Sequence, residues 1–181
     1  MREYLLLLPI IFIFHDMEEI IGFDWFFKTN PEIFERFPQI RKIYDGLTTA
    51  TFAAAVYEEF IPFFGVSLLA YYFPTRILNT VWFGIFLSLT AHFVVHILIS
   101  IFIKKYIPCI ITSIICLPVS SLILIKSMSY LDFDMMTITC IIITVLAMIA
   151  NMKLAHGFAH FLAKKTSVSM KGKYKNGDQA L

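Results

Sequence analysis

Histidine and glutamate residues concentrate in the apolar parts of this chain. All five histidines and four of the seven glutamates lie in long apolar stretches. The histidines are His15, His92, His96, His156 and His160, and the four glutamates are Glu18, Glu19, Glu58 and Glu59. An ionisable group inside a bilayer costs a few kcal/mol or more unless a partner compensates it. Imidazoles and carboxylates together are ligands for zinc, iron and manganese, so the pattern predicts a buried metal site made of all nine residues.

The spacing of these residues supports a shared site. His15, Glu18 and Glu19 stand at i, i+3 and i+4, which places them over one helix face. The stretches "AHFVVH" and "AHGFAH" each place two histidines one helical turn apart. Neighbouring residues on a helix lie about 100° apart, so Glu58 and Glu59 cannot both face one point. These residues offer more donors than one tetrahedral ion needs, so the sequence predicts one or two divalent ions, and two fit the number of donors better. Zinc and iron are the predicted metals, and manganese is also compatible.

Two other interpretations of these residues do not need this metal site. A metal-free polar network or proton relay would also hold ionisable groups in a membrane. Haem would need two facing histidines and would leave the carboxylates unexplained. Asp16 points away from the His15 face, and Cys109, Cys116 and Cys140 lie in apolar segments without a paired framework. We therefore expect the cysteines to be small apolar residues and not ligands.

The composition identifies the elements that must carry this site. Of 181 residues, 59% are hydrophobic and 15% charged, and the mean hydropathy is +0.77. These values are typical of an all-α, polytopic membrane protein. Five continuous apolar runs are long enough to span a bilayer. They cover about residues 4–27, 47–73, 77–103, 108–126 and 136–163.

The first, second, third and fifth runs hold the polar cluster. They are predicted to form a four-helix core around it, within a single transmembrane domain at 1–165. The fourth run carries none of these residues and is predicted to pack outside the core or at a dimer interface, so a homo-oligomer is left open. A basic, unstructured tail is predicted for 166–181, and an amphipathic segment bent at Pro38 is predicted at the interface for 31–44.

The distribution of basic residues predicts the orientation. Five spans place three Lys or Arg residues on one side and eleven on the other. The richer side is expected to be cytoplasmic, with the N-terminus outside and the C-terminus inside. Counting about 1.5 Å per residue then brings His15, Glu58 and His92, and also Glu18, Glu19, His96 and His156, to one layer in the cytoplasmic half of the membrane.

The stretch "HDMEE" resembles the motif that gives its name to the HXXEE-domain family of small, largely uncharacterised membrane proteins. The resemblance is carried by His15, Glu18 and Glu19 near the start of the chain, together with the later histidines, and is expected to extend to about residue 163. It implies a common polar centre and does not by itself imply an activity.

The residues favour a membrane-embedded metal-dependent enzyme. It would hydrolyse a lipid-like or other apolar substrate that enters from the membrane, with Glu19 as general base. A di-iron oxidoreductase of the oxidase, hydroxylase or desaturase type would use the same residues. A transporter of protons or divalent cations is the third class, although its pathway would need polar residues toward the opposite side. The basic residues lie at the membrane edges, which does not favour nucleic-acid binding.

Overall fold

Seven α-helices and a short 3-10 turn make up the part of the chain that the computed structural model describes, residues 1–177. Side chains are described as far as Thr166, and within these limits there is no β-strand. The turn at Arg2–Tyr4 precedes α1 (Leu7–Thr29), α2 (Glu32–Arg36), α3 (Pro38–Tyr44), α4 (Thr49–Tyr72), α5 (Arg76–Ile103), α6 (Ile110–Met128) and α7 (Met135–Gly177). Helix α7 continues through most of the segment predicted as a tail, and residues 178–181 lie outside the described part.

Short polar residues fix the starts of three long helices. Thr48 and Thr51 form a reciprocal capping box at the start of α4. The Thr75 hydroxyl accepts from the backbone N–H of Leu78 at the start of α5. At α7, Asp134 accepts from a backbone N–H of the first turn at 2.9 Å and pairs with Arg76 of α5 at 2.5 Å. These caps hold the connections short, so successive long helices run back and forth side by side.

Four of the long helices are apolar and long enough to cross a membrane, which makes the chain a membrane protein. They are Thr49–Tyr72, Arg76–Ile103, Ile110–Met128 and Met135–Thr166. Helix α1 has 23 residues but carries Asp16, Glu18, Glu19 and Asp24, so its composition sets it apart from the other four. The predicted all-helical membrane class is confirmed, whereas the predicted number of five spans is not.

The helices pack around α5, which contacts α4, α6 and α7, while α1 packs on α4 and touches α6. Large side chains fill the space between α1 and α5. Trp82 is fully buried there and donates its indole N–H to the backbone carbonyl of Leu5 at 2.9 Å. Nearer the middle of the helices, the ring of Phe93 lies 4.7 Å from that of His15.

The predicted arrangement, with the fourth run outside a four-helix core, is not confirmed. In the most apolar 18-residue stretch of α6, 39% is buried, which is the largest share among the four apolar helices. In α7 the share is 11%, the smallest. Helix α6 buries one face against α5 and α1 and leaves the other face exposed, while α7 exposes most of its apolar surface.

The connectors at one end of the bundle pack on each other. Phe26, Ile33, Ile103 and Ile107 form a small apolar cluster there. The ammonium group of Lys105 donates to the Glu32 carboxylate, and this hydrogen bond lowers the pKa of Glu32. The α5–α6 connector is thereby fastened to the chain that follows α1. This contact matters because the connector carries Cys109.

Candidate metal centre

Four potential ligands come together between α1, α5 and the start of α6. One ligand atom each from His15, Glu19, His96 and Cys109 lies within 4.8 Å of the others. A tetrahedral ion with bonds of 2.0–2.3 Å would place such atoms roughly 3.3–3.8 Å apart. Shifts of about 1 Å would therefore close the group around one ion. Three of these residues are sequence predictions, and Cys109 was not predicted.

The position of Cys109 depends on the fold of its connector. Its backbone is in the left-handed region, with φ of 71°, and it directly precedes α6. The side chain is fully buried. In the sequence, Cys109 is recognisable only as a cysteine in an apolar segment, and that pattern does not separate a ligand from a small apolar residue.

Hydrogen bonds around His15 define which ring nitrogen is free. The Thr112 hydroxyl has one hydrogen and two acceptors within reach, the Glu18 carboxylate at 2.7 Å and the backbone carbonyl of Cys109 at 3.2 Å, and the shorter bond is to Glu18. Its oxygen can then accept from Nδ1 of His15, which lies 3.1 Å away. We infer that Nδ1 carries the proton of a neutral imidazole and that Nε2 keeps its lone pair. Nε2 is buried and has no hydrogen-bond partner, which is the state that a metal ligand requires.

Glu18 stabilises the start of α6 and does not join the four-residue group. Its carboxylate accepts from the backbone N–H of Ile111 at 3.3 Å and of Thr112 at 2.7 Å, and from the Tyr106 hydroxyl at 2.7 Å. Its own contribution is a negative charge at a helix N-terminus, which is favourable. Burial, and then the bond to Glu18, raises the pKa of Tyr106 to about 12, so this phenol stays a donor.

The two histidines of α5 are coupled. Nε2 of His96 lies 2.6 Å from Nε2 of His92, so one nitrogen donates a hydrogen and the other accepts it. The ring centroids of both lie close to that of His15, at 5.2 Å for His96 and 5.6 Å for His92. The side chains of α1 and α5 therefore meet as predicted. His96 belongs to the ligand group, and His92 lies outside the group and is hydrogen-bonded to His96.

Further carboxyl and imidazole groups surround a small adjoining cavity of about 50 Å³. Its polar lining consists of Asp16, Glu19, Tyr44, Glu59, His92 and His156. Nδ1 of His156 donates to the Met152 carbonyl at 2.7 Å, so Nε2 is the free nitrogen. Nε2 of His156 and one oxygen of Asp16 are buried without a hydrogen-bond partner. Burial raises the pKa of Tyr44, and the nearby charge of Glu19 raises it further, so the Tyr44 hydroxyl stays protonated.

Two predicted ligands lie elsewhere. Nε2 of His160 donates to the backbone carbonyl of Ile43 at 2.8 Å and so fastens α7 to α3. A second, larger cavity adjoins the small one. Glu58 lines neither cavity, whereas its neighbour Glu59 lines both. The adjacent pair thus diverges as helix geometry requires. Asp16, expected to point away from the centre, lines both cavities.

A larger cavity of about 280 Å³ lies between α1, α4, α5 and α7. Its lining is mostly apolar, with a polar side formed by Asp16, Ser88, Glu59 and His92. The apolar residues are Phe12, Phe63, Leu89, Ala91, Val95, Val145, Met148, Ile149 and Met152. The two cavities share Asp16, Glu59 and His92, so the apolar space ends at the polar centre.

These features define an α-helical membrane protein with a buried group of imidazole, carboxylate and thiol donors. The chain belongs to the family described as proteins of unknown function with an HXXEE motif, whose family model matches residues 6–123. The match contains all four residues of the ligand group and ends before α7, earlier than expected. No curated protein and no solved structure matches the chain.

Proposed function

We propose that this protein is a membrane-embedded, zinc-dependent hydrolase. The proposal is carried by the group of His15, Glu19, His96 and Cys109, whose ligand atoms lie within 4.8 Å of one another. A cysteine sulfur beside two imidazoles favours zinc over manganese or magnesium, because thiolates are soft ligands. The free Nε2 of His15 adds support, since its tautomer is fixed by Thr112.

The roles of the four residues follow from the number of ligands that catalysis allows. A catalytic zinc site has three protein ligands and one open position, whereas four protein ligands close the site. We assign His15, His96 and Cys109 as ligands and Glu19 as the general base beside the open position. A zinc ion held there would polarise a substrate carbonyl and lower the pKa of the water in that position. Glu19 would take the proton of this water and later return it to the leaving group.

Metal analysis tests the ligand assignment. Protein purified in detergent and supplied with zinc is expected to retain about one equivalent, as elemental analysis would measure. Cys109→Ser should lose it, and Cys116→Ser is the matched control because Cys116 is also buried but lies outside the group. A wild-type protein without bound metal, or a Cys109→Ser variant that retains wild-type zinc, would refute the site.

Glu19→Gln separates binding from catalysis. If Glu19 is the base, this variant should keep its zinc and lose activity toward lipid esters and amides. If Glu19 is instead a fourth ligand, the variant should lose zinc as well. The measurement therefore needs zinc content and turnover on the same preparation.

A di-iron oxidoreductase is the second candidate, and the small cavity favours it. Asp16, Glu59 and His156 stand around this cavity with Glu19 and His92, and they would give a second ion a carboxylate-rich set. About two equivalents of iron with visible absorption, in protein that excludes zinc, would favour this candidate over the hydrolase.

We also propose that α1 is a fifth span, with the N-terminus outside and the C-terminus in the cytoplasm. Two observations support this: α1 is nearly as long as α4, and its His15 and Asp16 are buried inside the bundle. The eleven-to-three distribution of Lys and Arg supports the orientation. Reporter fusions after residues 1 and 166 should report opposite sides, and reports from the same side would exclude five spans.

A further inference from the structure

We propose that the larger cavity binds one hydrocarbon chain of an uncharged single-chain lipid, an acyl ester or amide that carries a hydroxyl or N–H donor beside its carbonyl. As a statement about the substrate, this deepens the proposed hydrolase and rests on it. The binding itself depends only on the cavity, so the two proposals can fail separately.

The size and lining of the cavity suit a hydrocarbon chain. Its volume of about 280 Å³ is nearly twice that of an engineered apolar cavity of about 150 Å³ that holds benzene. Phe12, Phe63, Leu89, Val145 and Met148 supply apolar walls from four helices. A chain that leaves the bilayer for this space stays in apolar surroundings, so entry does not oppose the hydrophobic effect.

The opening of the cavity faces sideways, between α5 and α7. Val95 and Ile149 line it and are 48% and 45% exposed, which places them at the surface that membrane lipid would cover. Farther back along both helices, Gly84 lies so close to Thr144 that a Cβ on the glycine would come within 2.8 Å of the threonine Cβ. The glycine thus allows tight contact at one level. The exposed residues at the opening lie further on, with Val95 eleven residues beyond Gly84 on α5 and Ile149 five residues beyond Thr144 on α7.

The polar end of the cavity selects the head group. Asp16 is almost fully buried, lines the cavity and has one oxygen without a hydrogen-bond partner. Glu59 lies at the same end, and no Lys or Arg is among the residues that line this cavity. A carboxylate or phosphate head group would meet two carboxyl groups and no cation, whereas a hydroxyl or amide N–H would satisfy Asp16.

The same end of the cavity adjoins the ligand group. The small cavity shares Asp16 and His92 with this end and is lined by Glu19, and His92 is bonded to His96 at 2.6 Å. A chain in the cavity would therefore bring the atoms at its head group next to the proposed zinc site. This placement would present the ester or amide carbonyl to water at Glu19.

Photoaffinity labelling in nanodiscs tests the binding. The probe is a monoacylglycerol with a diazirine in its acyl chain, and labelled peptides are identified by mass spectrometry. We expect labelling on α5 near Val95 and on α7 near Ile149. Unlabelled monoacylglycerol should compete about tenfold or more better than the fatty acid of the same length, because the unpaired carboxyl groups disfavour an anion. Equal competition by the two lipids would overturn the head-group assignment.

Two variants locate the probe. Met148→Trp fills the cavity and should reduce labelling about tenfold or more, while Leu122→Trp, on the exposed face of α6, should leave it unchanged. Zinc retention by Met148→Trp would show that the variant is folded. Unchanged labelling in Met148→Trp would place the chain elsewhere and overturn the proposal. Labelling without zinc binding would refute the hydrolase alone, and zinc binding without labelling would refute the lipid site alone.

Discussion

Thr112→Val removes the hydroxyl that orients the His15 ring and leaves the shape of the side chain nearly unchanged. Nδ1 of His15 then loses its partner at 3.1 Å in a fully buried position, and Glu18 loses one of its four donors. The imidazole no longer gains from keeping its proton on Nδ1, so the tautomer with the proton on Nε2 becomes accessible. That tautomer cannot bind a metal through Nε2.

The expected size of the effect follows from this loss. Residues that orient a metal-binding histidine typically contribute about 10–100-fold to metal affinity, or about 1.4–2.7 kcal/mol. The metal-free protein should lose about 1–3 kcal/mol of stability, because a buried donor is left unpaired. Thr112→Ser keeps the hydroxyl and should stay close to wild type in both measurements.

The assay is a competition titration of zinc with a chelator, beside thermal unfolding of the metal-free protein in detergent. Thr144→Val is the matched control, because Thr144 is also 7% exposed and its hydroxyl donates within α7 to Cys140. If Thr112→Val binds zinc as tightly as Thr144→Val, or if Thr112→Ser is as weak as Thr112→Val, the assigned tautomer is wrong.

Three further substitutions test polar contacts that join or cap the helices. Glu18→Gln replaces the carboxylate that accepts hydrogen bonds at the start of α6 with an amide, and it should lower the melting temperature. Glu3→Gln, at an exposed position, should not lower it. Equal melting temperatures of the two variants would show that the Glu18 carboxylate does not stabilise the start of α6. Asp134→Asn should also destabilise the protein. The bonds of Asp134 in the folded protein lower its pKa from 3.8 to about 2, so the contribution of the carboxylate is complete above pH 3.8 and is lost as pH falls toward 2. The melting difference from wild type should therefore be present near pH 6 and shrink in acid, and a difference independent of pH would contradict this cause. Trp82→Phe leaves the Leu5 carbonyl without its donor and should cost about 1–3 kcal/mol in unfolding free energy, whereas an unchanged stability would mean that this bond is dispensable.

Hydropathy located the long helices because each contains a long apolar run, and most of their ends moved by a few residues only. The exception is α7, which was predicted to end at about residue 163 and extends to Gly177. It could not rank their burial. Helix α6 looks like a simple lipid-facing helix in sequence because its buried positions are small residues such as Ser113 and Ser120, which do not stand out in a hydropathy count. The same small residues let α6 lie close to its neighbours, as small side chains do in membrane proteins.

Helical spacing identified candidates for the centre but could not assign their partners. His15 and Glu19 share a face and meet, yet Glu18, within the same spacing, is directed to the start of α6. His160 follows His156 by one turn, a rise of about 6 Å, and that is enough to bring it to α3. Cys109 was missed because it lies in a connector with a left-handed backbone, which no periodic pattern describes.

The junction of Cys109 and Thr112 with α1 gives the centre an order of assembly. His15 and Glu19 emerge early in synthesis, but the thiol of Cys109 and the hydroxyl that fixes the His15 tautomer come nearly a hundred residues later. A nascent chain that ends before this junction has neither the complete ligand group nor the cap on α6. The proposed zinc ion would therefore be held only by chains whose α6 has docked against α1. Helix α7 contributes no member of the ligand group, so the four donors are all synthesised before the last helix.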